Sequence, residues 1–215
     1  MSDRDYDVVG VRRDGLVVGY VKRMDLSDGT LANHLVKFSS DNIIDESTQL
    51  IDILKQMRKT TRLFVLIFGQ IGGIVTRGDI QKTPLRMWLF GLISMIEMQL
   101  LRIIREHCPN DTWKTFLAPA RLKKAQELLS DRRKRNEAID LADCLQFCDK
   151  REVILKCDKL KIAEGFDLHS TLKEIEQLRD NLAHAQDIIP GNWPKIVDIA
   201  EDSERLLRTL EKINV

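Results

Sequence analysis

Little in this sequence points to a metal centre. Cysteine is scarce, limited to Cys108, Cys144, Cys148 and Cys157. Cys144-x-x-x-Cys148 has neither a histidine nor a second cysteine pair at zinc-finger spacing. The four are therefore expected as buried, reduced thiols, and no metal site is assigned. A dominant charge is missing as well. Lys and Arg number 34 against 33 Asp and Glu, a net +1. No global field marks a nucleic-acid binder, so any such binding must rest on a local patch. Long apolar runs are also lacking. The most apolar one, Met87 to Ile96, has ten residues and is followed by Glu97 and Arg102. That is shorter than a bilayer span. The first residues are polar and charged, so no leader peptide is expected. These absences lead to the expectation of a cytoplasmic protein with no membrane partner.

What is present suffices for a core. At 215 residues and 43% hydrophobic, the chain can form one large domain or two small ones. Its first part alternates short strands and helices. Tyr6 to Arg12 and Leu16 to Val21 read as strands joined through Asp14-Gly15, a strong hairpin signal. A helix is expected over Thr30 to Phe38 and a short strand at Asn42 to Ile44. Glu46 to Lys59 reads as helix, with Leu50, Ile53, Leu54 and Met57 at helical spacing. Arg62 to Phe68 and Ile71 to Val75 read as strands on either side of a Gly69-Gln70 turn.

An internal repeat organises this part. Gly19-Tyr20-Val21-Lys22-Arg23-Met24-Asp25-Leu26 aligns with Gly73-Ile74-Val75-Thr76-Arg77-Gly78-Asp79-Ile80, 54 residues later. Both octets follow a strand pair with a tight turn. The pattern resembles the CBS domain, a strand-helix-strand-strand-helix module that pairs in tandem. The second copy, from Asp41 onward, resembles it more fully. The first has Lys22 where the second has Thr76, and too few residues precede it for a full opening strand and helix. The resemblance implies an adenine nucleotide as a regulatory ligand, with Thr76 and Asp79 contacting its phosphate and ribose. A hydroxyl at a helix start suits phosphate, and a carboxylate accepts from ribose hydroxyls.

From Thr83-Pro84 the pattern turns helical, Thr as cap and Pro in the first turn. Leu89, Leu92, Ile96, Leu100, Ile103 and Ile104 make an apolar stripe interrupted by Glu97, which needs a partner if buried, with Arg179 the candidate. Asp111, after Cys108-Pro109-Asn110, is a candidate cap for the next helix. Ala120 to Asn136 carries Arg121, Lys123, Lys124, Arg132, Arg133, Lys134 and Arg135, a basic run that suits either a solvated face or phosphate steering. It has no aromatics for base stacking. Glu137 to about Lys156 is expected as a helix, and a link follows near Ala163 to Asp167. In the next helix Leu172, Ile175, Leu178 and Leu182 share one face, Ser170-Thr171-x-x-Glu174 provides a capping signal, and Ile189-Pro190-Gly191-Asn192 provides a stop. Trp193-Pro194 opens a last helix with Ile196, Ile199, Leu206, Leu207 and Leu210 inward. Residues 84–215 are thus expected as an all-α bundle of about five helices.

Near the end of the penultimate helix stand Arg179, Asp180 and His184. Histidine moves protons near neutral pH, and arginine presents a permanent positive fork to phosphate. An α-bundle with Arg, a polar neighbour and a following His resembles the HEPN family. Many of its members are metal-independent endoribonucleases of toxin–antitoxin, antiviral and RNA-processing systems. On an ideal helix, Arg179 and His184 lie about 140° apart, so one straight helix does not aim both at one phosphate. The resemblance implies a composite site at a homodimer interface. His184 would act as general acid or base, Arg179 would stabilise phosphoryl charge, and Asp180 would orient His184.

The expected fold class is α+β: a CBS-like α/β module over residues 1–83, then a HEPN-like bundle over residues 84–215. The expected partners are an RNA substrate, a second copy of the chain, and an antitoxin or nucleotidyltransferase. Catalysis would require no cofactor. The alternative is a non-catalytic nucleotide-sensing or dimerisation protein.

Overall fold

Asp14 and Gly15 take left-handed φ values of 51° and 83°, the conformation that a two-residue hairpin loop demands. They join β1 (Val8–Arg13) to β2 (Leu16–Lys22) in antiparallel register, Val9 opposite Val21. The computed structural model describes residues 6–80, 82–157, 167–183 and 192–213. It shows an α+β protein in two compact units, Met1–Lys82 and Thr83–Val215.

In the first unit, the expected helix over Thr30 to Phe38 does not form. Only a 3-10 turn at Leu31–His34 is present, and Val36 instead exchanges backbone hydrogen bonds of 3.0 and 2.8 Å with Tyr20. Gly19 makes this possible. A Cβ there would stand 2.5 Å from the Val36 carbonyl oxygen. The pairing brings Phe38 onto a cluster with Tyr20 and Phe64, ring centroids 4.7 to 5.8 Å apart. Tertiary pairing and aromatic burial override a weak helical preference.

The remainder is a three-stranded sheet in the order β3-β4-β5, from β3 (Ile43–Asp45), β4 (Arg62–Ile67) and β5 (Gln70–Thr76). Helix α1 (Leu50–Gln56) crosses over between the parallel pair β3 and β4, burying Ile51 and Leu54. The β4–β5 turn falls on Phe68 and Gly69, both with positive φ, one residue earlier than expected. Helix α2 (Arg77–Ile80) follows β5.

The second unit has five α-helices among its described residues. Helix α3 (Thr83–His107) is its centre, in contact with α5 (Phe147–Lys156), α6 (Leu168–Ala183) and α7 (Trp193–Glu211). It buries Leu85, Leu89, Leu92, Ile93, Ile96, Leu100, Ile103 and Ile104. By length and a mean hydropathy of 1.6 over 18 residues, α3 is also the one described helix that could cross a membrane. The ten-residue run in the sequence understated it, because the helix extends well beyond the uninterrupted apolar stretch. The inward residues expected of α7, Ile196, Ile199, Leu206, Leu207 and Leu210, are all buried. Asn192 caps that helix, its side-chain oxygen accepting from the Lys195 amide at 3.2 Å.

Three local expectations are corrected. Glu137 to Gln146 is not a helix: α4 (Pro119–Arg133) ends, and α5 starts only at Phe147. Asn136 adopts φ 60°. Asp140 accepts from the Ala142 and Asp143 amides, and Asp143 accepts from the Asp140 amide. Aspartates that bond to nearby backbone amides compete with helical hydrogen bonding. The cap of α6 is Asp167, which accepts from Ser170, rather than Ser170 or Thr171. Asp111 caps nothing; with φ 59° it accepts from the Trp113 indole and from Lys114. The expected link at Ala163 to Gly165 and the stop at Ile189 to Gly191 lie outside the described residues.

Candidate active site

The α6 sequence sorts cleanly into two faces. Leu172, Ile175, Leu178 and Leu182 recur at three- and four-residue intervals and are buried. Asp180 stands on the opposite side near the helix end, at 60% exposure, while Arg179 is half-buried at the edge of the apolar stripe, one turn from Ile175. His184 lies outside the described residues. It follows Ala183, the last residue of α6.

Arg179 does not stand alone. Its Nε is 3.8 Å from Glu97 Oε2 on α3, and its Nη1 is 3.6 Å from Asp180 Oδ1. Both distances are those of an ion pair rather than a hydrogen bond. Glu97 is the polar interruption of the α3 stripe, and Arg179 is the partner expected for it. The tighter partner is Lys150 on α5, whose Nζ donates to Glu97 Oε1 at 2.7 Å while its side chain is only 7% exposed. Lys150, Glu97 and Arg179 thus form a cation–anion–cation row across three helices. Arg86 adds a further cation. Its Nη2 donates to the carbonyls of Leu182 at 3.0 Å and Asn181 at 3.3 Å, closing the end of α6. Sequence reasoning missed Lys150 and Arg86, since neither belongs to a spaced motif. The need of Glu97 for a buried partner was the only signal pointing toward Lys150.

With Asp180 counted the row is electrically neutral, and Arg86 adds one positive charge at the end of α6. Arg179 is more than a third open to solvent and uses no direct hydrogen bond to Glu97. Its guanidinium fork can therefore take a phosphate oxygen pair.

The chain matches no family model, no curated protein and no solved structure. Any functional reading must therefore rest on the side chains themselves.

In the first unit, Thr76 and Asp79 are brought together, but they meet each other. The Thr76 hydroxyl and amide donate to Asp79 Oδ2 at 2.8 and 3.0 Å, and Lys82 donates to the other oxygen. These bonds, that of Lys82 first, hold the Asp79 carboxyl down at about 2. The first repeat copies the geometry in weaker form. Lys22 stands where Thr76 does, and its Nζ is 3.7 Å from Asp25. The repeated aspartate thus folds back on the residue that ends the strand in both copies. Neither Thr76 nor Asp79 lines the cleft of about 240 Å³ bounded by Gly10, Arg12, Phe38, Phe64, Gly72 and Ile74.

The basic run on α4 is mostly neutralised. Arg121 bonds Asp149 at 2.6 Å, which pushes its pKa up. Arg132 and Arg135 pair with Glu137, Lys123 with Glu127, and Lys134 with Asp131. What remains for steering phosphate is small. Cys108, Cys144 and Cys157 are buried free thiols, and Cys148 is half-buried. Burial pushes the Cys144 and Cys148 thiols up, away from thiolate chemistry.

Proposed function

We propose that the chain is a cytoplasmic, metal-independent endoribonuclease of the HEPN kind, working as a homodimer. The supporting observation is the arrangement at the end of α6. The apolar residues of that helix are buried, while Arg179, half-buried against Glu97, and the exposed Asp180 stand near its end, with His184 following in the sequence. In this reading the substrate's own 2′-hydroxyl attacks the adjacent phosphorus, so cleavage is confined to RNA. His184 takes or gives the proton. Arg179 meets the charge that grows on the phosphoryl oxygens. Asp180 orients His184. On an ideal helix Arg179 and His184 would lie about 140° apart, and this reading therefore assigns complementary groups to two chains.

The first unit is proposed as a CBS-like regulatory module for an adenine nucleotide, with an antitoxin or nucleotidyltransferase as the silencing partner. In its support, Asp79 stays ionised at all physiological pH and can accept from ribose hydroxyls. A second reading has its own observation. The Glu97–Arg179 and Thr76–Asp79 contacts give these residues partners within the chain, as in a non-catalytic sensor or dimerisation protein.

One experiment separates them. Labelled RNA is incubated in EDTA with the wild type, Arg179→Ala and His184→Ala, with and without ATP, ADP or AMP. The nuclease reading expects cleavage by the wild type and about 10²–10⁴-fold less by His184→Ala. Intact RNA in every wild-type arm would sink it and leave the second reading. Calorimetry on the same proteins expects nucleotide heat that Asp79→Asn abolishes.

A further inference from the structure

One side of helix α3 has no partner among the described residues. Met87, Gly91, Ser94 and Met98 fall within about 60° of one another on an ideal helix, with Phe90 and Met95 flanking them. Met87, Phe90, Met95 and Met98 are 69, 46, 47 and 68% exposed. The Ser94 hydroxyl donates to the Phe90 carbonyl at 2.8 Å, so its donor is already satisfied within the helix. The face from Met87 to Met98 can be dried without stranding a polar group.

Gly91 is the second observation. It sits inside a 25-residue helix, where glycine costs helix stability relative to alanine. Its φ is ordinary, and nothing lies within 4 Å of where a Cβ would sit. Neither the backbone nor the packing of this chain requires a glycine there. A glycine on an open helix face suits the close approach of another backbone.

We infer that a second copy of this chain docks on this face, α3 against α3 in antiparallel. The inference rests on the two-chain reading of the site above and names its interface. At about 200 Å² per fully exposed large side chain, the four exposures leave roughly 450 Å² of apolar surface. That is over half of the roughly 800 Å² that each partner buries in a specific interface. The two small residues mark the crossing. A two-fold axis between Leu92 and Ile93 sets Gly91 against the partner's Ser94 and Met87 over the partner's Met98. Arg86 and Glu97 lie on the same edge of the face as Phe90, each already engaged within its own chain. A two-fold across the helices keeps that edge on one side. Both Glu97 residues, each with its Arg179, then flank one edge of the dimer, about 13 Å apart along the helix axis.

The test is sedimentation of the full chain at micromolar concentration. The wild type is expected at about 50 kDa, twice the chain mass of 24.8 kDa. Gly91→Leu, a better helix former at an open position, should run as a folded monomer, as should Met98→Glu. Combining Met87→Lys with Met98→Glu should restore the dimer, because this register sets the new lysine on the partner's new glutamate. A monomeric wild type overturns the proposal; flotation with phosphatidylglycerol vesicles would then assign the face to a membrane. Variants that stay dimeric also overturn it. A dimer that cleaves no RNA leaves this interface standing and removes the nuclease reading, whereas a cleaving monomer removes this interface and the two-chain site and leaves only the RNA-cleaving activity.

Discussion

Glu97 decides more than its place in an apolar stripe suggests. It neutralises Lys150, a cation with almost no access to water, and it holds Arg179 loosely at its other oxygen. Removing it strands a buried charge. Glu97→Ala is expected to cost about 3 kcal/mol in urea unfolding, the low end for breaking a buried pair, because Glu97 keeps a solvent edge. Glu97→Gln, which can still accept from Lys150, should cost less. Asp79 makes the complementary case. Its carboxyl is held at about 2 against an ordinary 3.8. A depressed carboxylate contributes stability that is complete above the unfolded value and lost as pH falls toward the folded one. The first unit should therefore lose stability between about pH 4 and 2, and Asp79→Asn should flatten that part of an acid titration followed by circular dichroism.

Equivalent positions of the repeat carry unequal demands at the scale of elements. Gly19 and Gly73 align in the sequence, yet only Gly19 is crowded, with the Val36 carbonyl 2.5 Å from a would-be Cβ. At Gly73 the nearest atom, Val65 Cβ, is at an ordinary 3.4 Å. Gly19→Ala should break the Tyr20–Val36 pairing and cost about 1–3 kcal/mol. Gly73→Ala should stay within about 0.5 kcal/mol of the wild type. Thermal unfolding of the two variants checks the contrast. A similar inequality runs through the helices. The α4 charges that look like a binding surface in the sequence are spent on Asp149, Glu137 and neighbours one turn away. By contrast Arg86, a charge in the apolar opening of α3, closes the end of α6.

Across the whole molecule, each unit has its own core. In the first, an aromatic cluster and the α1 face support a small sheet. In the second, α3 is the hub, and a hydropathy suited to a bilayer serves packing against three helices. One side of that hub has no partner among the described residues. The net charge of +1 leaves no global field, so any attraction of an anion must be local.

Periodicity and turn chemistry were legible from the residues alone. Asp14-Gly15, the α6 stripe from Leu172 to Leu182 and the α7 stripe from Ile196 to Leu210 are local rules, and local rules act before the chain meets itself. The need of Glu97 for a partner was legible too, because a carboxylate in an apolar stripe cannot be left unpaired. The choice of Lys150 was not, since residues 53 apart in the chain meet only when α3 and α5 pack. For the same reason the Thr30 to Phe38 segment read as helix and folded against Tyr20: its strongest contact was with a strand the local pattern does not see. The sequence by itself determined the Asp14-Gly15 hairpin and the amphipathic helices α3, α6 and α7. Only the tertiary structure decided which charges are satisfied, which glycine is crowded, and which face of α3 remains open, because each depends on surfaces brought together from distant parts of the chain.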